Sequence, residues 1–420
     1  GLVPRPPLQK NGLRAARFEN RSLEDRPAEV IENPDGRYRW NGTRLSGAIR
    51  WTGFLKAPET GVYTLRYEAN GGYRISIAGE SVVDAWDVDW RPSIAAGKVE
   101  LEAGKTYAIA VEAFQRQDSG DEGLLWALPS DQGAADAVAA AGKADIAIFV
   151  AGLTAEIEGE EMRVAVDGFD GGDRTKLGLP APQQALLEKI VATGAPTILV
   201  LINGGPISVN WADENVPAII EAWYPGGQGG DAVARAIAGD FSPAGRLPVT
   251  IHRSADDLPA FADYDMANRT YRYFEGEPLY PFGYGLSYAA FAYDKARLSR
   301  KIVKAGEAVT LAVDVTNTGS FASDEVVQLY ISRPDVAGAP IRSLAGFDRI
   351  NLAPGETKTV RFAIDPRAMS VVDEAGNRIV AEGPAELWVG GGQPGMRAGL
   401  ARAAGQSLSF SIRGAKNLSP

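Results

Sequence analysis

Along this chain the hydrophobic pattern changes period twice, and that excludes any single-architecture fold. From residue 11 to about 129, apolar and polar residues alternate in short runs such as Gly61-Val-Tyr-Thr-Leu-Arg-Tyr67, Tyr73-Arg-Ile-Ser-Ile77 and Tyr107-Ala-Ile-Ala-Val111. Turns such as Asn70-Gly-Gly72 and Glu102-Ala-Gly104 separate them. Period two at this spacing predicts a β-sandwich, each strand turning one face to the core. The apolar runs then become continuous, as in Asp145-Ile-Ala-Ile-Phe-Val150, Thr197-Ile-Leu-Val-Leu-Ile202 and Ala218-Ile-Ile-Glu-Ala-Trp223, and they alternate with helical stretches at 134–141, 182–193 and 231–238. Strands apolar on both faces predict a mostly parallel sheet with helices on both faces, an α/β sandwich. From about residue 291 the alternation returns, with strands expected at 309–315, 325–331, 359–364 and 385–389 and a turn at Ala353-Pro-Gly355.

The predicted fold class is therefore multidomain: a β-sandwich, an α/β sandwich and a second β-sandwich. The expected boundaries are a linker at 1–10, a first sandwich at 11–130 and an α/β domain at 131–268. An aromatic connector at 269–290, a second sandwich at 291–413 and a tail at 414–420 follow. The opening Gly-Leu-Val-Pro-Arg-Pro-Pro reads as a proline-rich linker, with a protease-site remnant as the alternative for residues 2–5. The start of the full protein is expected upstream.

Composition narrows the chemistry. There is no cysteine, which removes thiol nucleophiles, disulfides and thiolate metal sites, and the single histidine is His252. Acid–base work would fall to carboxylates. A net charge of −10 argues against nucleic acid or an anionic membrane surface as partner, since both select clustered positive charge. No apolar run approaches the roughly 18 residues of a membrane-spanning helix.

The most informative stretch follows the first continuous strand. Four glutamates, Glu156, Glu158, Glu160 and Glu161, fall within six residues, and the loop ends at Gly171-Gly-Asp173-Arg174. Carboxylates crowded at the carboxyl end of a parallel strand should repel, raising at least one pKa toward what a general acid needs. A solvated acidic loop is the plain alternative. Asp173-Arg174 is expected to be a structural ion pair fixing the loop's far end. Gly226-Gly-Gln-Gly-Gly230 lacks the Lys-Ser/Thr of a phosphate loop and fits close strand-to-helix packing better. No Gly-x-Ser-x-Gly elbow accompanies His252, so a structural or surface role is expected for it. In the first sandwich Trp86 and Trp90 flank Asp87 and Asp89. Tryptophans beside carboxylates can stack a sugar and pair its hydroxyls, with burial between the sheets as the alternative.

Taken in order, several phrases resemble the carboxyl-terminal half of a glycoside hydrolase family 3 enzyme, the β-glucosidase and β-xylosidase family. They are the Glu-Gly loop closing on Asp173-Arg174, Leu179-Pro-Ala-Pro-Gln-Gln184, Ala222-Trp-Tyr-Pro-Gly226 and Pro243-Ala-Gly-Arg-Leu-Pro-Val-Thr250. The most specific is Tyr271-Arg-Tyr-Phe274 running into Tyr280-Pro-Phe-Gly-Tyr-Gly-Leu-Ser-Tyr288. The last domain resembles the family's fibronectin type III-like module through Asn317-Thr-Gly319, Val327-Gln-Leu-Tyr330 and Leu344-Ala-Gly-Phe347. The first resembles an inserted protective-antigen-type sandwich through Gly12-Leu-Arg14 and Leu101-Glu-Ala-Gly-Lys105.

The resemblance implies retaining exo-hydrolysis of a terminal β-linked sugar, with an aspartate nucleophile on an amino-terminal barrel that is missing from this sequence. It selects Glu158 as acid/base, with Glu161 and Glu160 as backups because the loop is longer than in shorter family members. Relatives of the inserted module hold calcium with an adjacent aspartate pair; here the corresponding turn is Ala69-Asn-Gly-Gly72, so neither metal nor cofactor is expected. The implied partners are a β-linked gluco-oligosaccharide or an aryl or alkyl glycoside, and the barrel domain or fragment; a homodimer is open to it. A non-catalytic carbohydrate-binding or scaffold subunit is the rival from another class. The location expected is periplasmic or extracellular, with the cytoplasm as alternative.

Overall fold

In the computed structural model the residues described are 3–4, 13–33, 37–41, 47–69, 71–88, 95–114, 119–129, 132–155, 157–158, 167–170, 173–373, 375–395, 397–400 and 403–419. The chain divides into two compact units, Gly1–Gly204 with Ala212–Glu221, and Gly205–Trp211 with Ala222–Pro420. Among the described residues no helix is long and apolar enough to cross a membrane.

In the first unit the alternating runs build two antiparallel sheets. One has the order Glu29–Asn33, Leu13–Phe18, Ala48–Lys56, Thr106–Phe114, Tyr73–Ile77, Glu80–Ala85. The other runs Val3–Pro4, Ser119–Ala127, Gly61–Glu68, Gly97–Leu101, with Arg37–Asn41 also paired to Ser119–Ala127. In Gly61–Glu68 every second residue, Tyr63, Leu65 and Tyr67, is buried while Val62 is exposed, which is the period-two pattern made physical. The core holds Trp51, Tyr63, Tyr67, Tyr73 and Trp126, so its polar tips need partners. Trp51 Nε1 donates to Tyr67 Oη at 2.8 Å, Tyr63 Oη to Glu59 O at 2.8 Å, and the Tyr73 hydroxyl to Ala95 O. Burial pushes the Tyr73 phenol up to about 12.

The same unit carries a parallel sheet in the order Ala147–Gly152, Thr197–Ile202, Ala218–Glu221. Thr197–Ile202 occupies the span its continuous apolar run predicts. The first strand begins two residues later than expected and runs on to Gly152, because Gly152 pairs with Ile202. The third stops at Glu221, short of Trp223, whose φ of 52° breaks the extended run. Helix Ala181–Val191 starts behind Pro180, carries Pro182 in its first turn and buries Leu187 and Ile190. On the outer strand Ile148 and Val150 are 54% and 61% exposed.

In the second unit, sheets Phe291–Leu298, Val309–Asn317, Thr357–Ile364 and Ile302–Lys304, Gly405–Arg413, Gly383–Gly390, Ser323–Ser332, Ser343–Leu352 form the other sandwich. Its core is largely aliphatic, with Leu311, Val313, Leu329, Val360, Leu387 and Val389 in one cluster that also holds Tyr293, Phe362 and Phe410. The aromatic connector lies against this sandwich. Tyr271 stacks on Phe282 with centroids 4.2 Å apart and meets Tyr330 edge-on at 6.2 Å. Gln328 Nε2 donates to Gly283 O at 3.0 Å, and a side chain on Gly283 would strike the Gln328 amide. Arg246 enters the same region. It donates to Glu325 Oε2 at 2.9 Å and to Gly391 O at 3.1 Å, while Tyr293 Oη donates to Glu325 Oε1 at 2.8 Å.

Candidate active site

Strand Ala147–Gly152 delivers the glutamate-bearing loop, and its carboxyl end is closely tied down. Gly152 has φ +139°, and a Cβ there would lie 1.9 Å from Ile202 O, so only glycine fits. Gln183, in the first turn of the next helix, holds the same residue by both backbone groups. Gly152 N donates to Gln183 Oε1 and Gln183 Nε2 donates to Gly152 O, both at 2.9 Å. Leu153 N then donates to Ile202 O at 2.8 Å. Beyond this clamp the chain turns, with the N–H groups of Ile157 and Glu158 both donating to Thr154 O at 3.0 Å.

Glu158 is half-buried on that turn. Its described charged neighbour is Arg174, at the loop's far end. Burial pushes the Arg174 guanidinium below its ordinary value and the Glu158 carboxylate opposes that shift. Arg174 Nη2 also donates to Leu177 O at 2.6 Å. Its backbone belongs to a short hairpin, Phe169–Asp170 against Asp173–Arg174, while Asp173 itself is exposed. Lys176 Nζ closes the return path on Asp167 at 2.8 Å. Among the described residues the arrangement presents one carboxylate on a turn held where it leaves the strand, with a cation beside it.

Glu160, Glu161 and Glu156 lie outside the described residues, as does Trp90. The repulsion expected among the four glutamates therefore falls largely outside them. A cleft of about 310 Å³ beside the hairpin is lined by Asp167, Phe169, Lys176, Leu179, Gln184 and Glu188, and Glu158 is not in its lining. Trp86 is half-buried, with its ring edge-on to Phe114 at 5.0 Å and the Arg74 guanidinium 4.9 Å from its centroid. Much of its indole is already in contact with protein. Among the described residues no group of three or more His, Asp or Glu side chains is placed to hold a metal ion.

Sequence reasoning missed Gln183 as a positioning residue, although it sits in Leu179-Pro-Ala-Pro-Gln-Gln184, one of the phrases carrying the resemblance. Its spacing to Gly152 is long-range, so no local pattern signals it.

Residues 51–288, more than half of the chain, match the glycosyl hydrolase family 3 C-terminal domain, and residues 325–393 match a fibronectin type III-like domain. The chain belongs to glycoside hydrolase family 3. It is 33% identical over 323 residues to a xylan 1,4-beta-xylosidase of Xylanibacter ruminicola, covering 76% of this chain and 37% of that protein. It is 32% identical over 424 residues to a beta-glucosidase of Rhizobium radiobacter, covering 91% of this chain and 50% of that one. Among solved structures, the beta-glucosidase of Kluyveromyces marxianus in complex with glucose matches with a TM-score of 0.70 at 26% identity, covering 98% of this chain and 51% of that one. The chain spans about half the length of these relatives, or less.

Within this family 3 chain the most specific phrase, Tyr271 to Tyr288, has a structural explanation in the second unit, where its rings and carbonyls are held by Tyr330, Gln328 and Gln393. His252 is likewise explained by packing. It is half-buried, edge-on to Phe274 at 4.6 Å, with Nδ1 buried and without a hydrogen-bond partner among the described residues. Burial pushes its imidazole below the ordinary 6.5, with Asp257 opposing. The folded state thus holds it neutral where the unfolded chain takes up a proton. Stability present above pH 6.5 is lost as pH falls through 6.5 toward the lowered folded value. Denaturant midpoints followed from about pH 8 to about pH 5 should fall less in His252→Gln than in the unsubstituted chain. Equal falls would remove His252 from the account.

Proposed function

We propose that this chain is the carboxyl-terminal part of a retaining, exo-acting β-glycosidase, and that Glu158 is its acid/base. The supporting observation is Glu158 on a turn clamped at the carboxyl end of a parallel strand, within electrostatic reach of Arg174. As a carboxylic acid, Glu158 gives its proton to the departing glycosidic oxygen while an aspartate outside these residues attacks the anomeric carbon and forms the glycosyl-enzyme. The Glu158 carboxylate then takes a proton from water as that water attacks the same carbon, which returns the aspartate and releases the sugar. Retention requires the two carboxyl groups about 5–5.5 Å apart, so the barrel bearing the aspartate would have to dock closely.

A β-glucosidase is favoured by the relative that covers 91% of the chain and by the glucose-bound structure that covers 98%. A β-xylosidase is the alternative, favoured by the 33% identical relative. The test is to assay the 420-residue chain alone and then with the complementing barrel fragment, on p-nitrophenyl β-glucoside and β-xyloside. No turnover is expected alone, because one carboxylate cannot run a double displacement. Activity is expected on mixing, faster on the glucoside. Turnover by the chain alone would overturn the division of labour, and a complemented enzyme with no glycosidase activity would favour the scaffold rival.

A further inference from the structure

The outer face of the five-stranded sheet in the second unit carries a constellation that the proposed reaction does not use. Strand register sets two rows across it. Tyr330, Trp388 and Ser407 lie opposite one another, and two residues along lie Ser332, Glu386 and Ser409. Both rows face away from the core, because the intervening Leu329, Ile331, Leu387, Val389 and Phe410 point into it. Tyr330 is fully buried under the connector, but the rows beyond it line a groove of about 460 Å³, with Pro394 also in its lining. That is within the size range of small-ligand pockets.

Trp388 is fixed in this groove. Beside it Gly390 and Gly405 pair across the strands, and a Cβ on Gly405 would lie 2.5 Å from Trp388 Cζ2, while one on Gly390 would lie 3.0 Å from Nε1. Glycine at both places lets the indole lie against backbone. Its Nε1–H donates to Gly392 O at 2.8 Å, so the ring's polar edge is satisfied and its orientation set. Trp86, by contrast, is wedged between Arg74 and Phe114.

A fixed indole bordered by serine hydroxyls and a carboxylate suits a sugar ring. The C–H face of a pyranose packs on the indole, and its hydroxyls donate to Glu386 and exchange hydrogen bonds with Ser407 and Ser409. The Glu386 carboxylate and the chain's net charge of −10 disfavour a uronic acid, so the ligand is neutral. We propose that this groove binds a neutral β-linked glucan or xylan chain, the choice of the β configuration resting on the reaction proposed above.

The experiment is calorimetric titration of the 420-residue chain with cellotetraose and with xylotetraose. Saturable binding of at least one is expected, weakened about tenfold by Trp388→Ala, roughly the loss of one aromatic contact. Ser409→Leu, on the outward face away from the core, should block the groove without touching Trp388, and its unchanged melting curve would show the fold intact. Glu158→Gln should bind as the unsubstituted chain does, which separates this groove from the proposed acid/base. If neither probe binds, the proposal falls while the reaction is still judged by turnover. Undiminished binding in a folded Ser409→Leu chain would also overturn it.

Discussion

Glu158→Ala in the complete enzyme should slow hydrolysis of an unactivated disaccharide by about 10²–10⁴-fold, the usual contribution of a positioned general acid. The loss should depend on the leaving group. A nitrophenolate departs without a proton, so the first step on p-nitrophenyl glycosides should survive far better than on the disaccharide. Release of the glycosyl-enzyme should then become slow, because no base activates water. Azide, which needs no deprotonation, should restore turnover and yield the β-glycosyl azide, the stereochemistry of a second inversion. Full activity on the disaccharide would exclude Glu158. Equal losses on all leaving groups, with no azide product, would indicate that the substitution damaged the loop instead.

The second large effect is on stability. The side chains of Arg246 and Glu325 are only 9% and 2% exposed and meet at 2.9 Å, with Tyr293 completing the pair. Removing one partner of such a pair leaves a buried charge, and Arg246→Ala should cost about 3–5 kcal/mol in denaturant unfolding of the chain. Burial already holds the Glu325 carboxyl above its ordinary 4.5, against the pull of Arg246 and Tyr293. A carboxyl raised in the folded state takes up protons there first, so its contribution falls as pH rises through the window above 4.5. Without Arg246 that window widens, and the deficit of Arg246→Ala should shrink as pH is lowered from 7 toward about 5. The double substitution Arg246→Met with Glu325→Leu should recover most of the loss. A single-variant cost below about 1 kcal/mol would mean that water reaches the pair.

These two predictions differ in how visible their residues were in sequence. Strands with a clean period gave themselves away. Thr197–Ile202 and the alternation of Gly61–Glu68 needed no tertiary information. Ser343–Leu352 was not foreseen, because its residues are mostly half-buried or exposed on both sides and so carry no alternation. The proposal of Glu158 rests on the acidic loop and the family phrase around it, both readable in sequence. The Arg246–Glu325 pair was not, since its members lie 79 residues apart and each alone reads as an ordinary surface charge. Gln183 and Gly152 were hidden for the same reason, separated by 31 residues. Local pattern reports which face of an element is buried; it is silent on which distant polar groups will meet.

The grip of Gln183 on both backbone groups of Gly152 has a consequence for how such enzymes can diversify. Strand and helix are locked to each other before the loop begins, so a change of length between Gly152 and the hairpin at Phe169 starts from a fixed junction. Doubling the length of a flexible loop costs only about 0.6 kcal/mol in closure entropy. Insertions there would leave the sheet undisturbed while altering the surroundings of Glu158, which makes this junction a natural splice point for exchanging loops between family members.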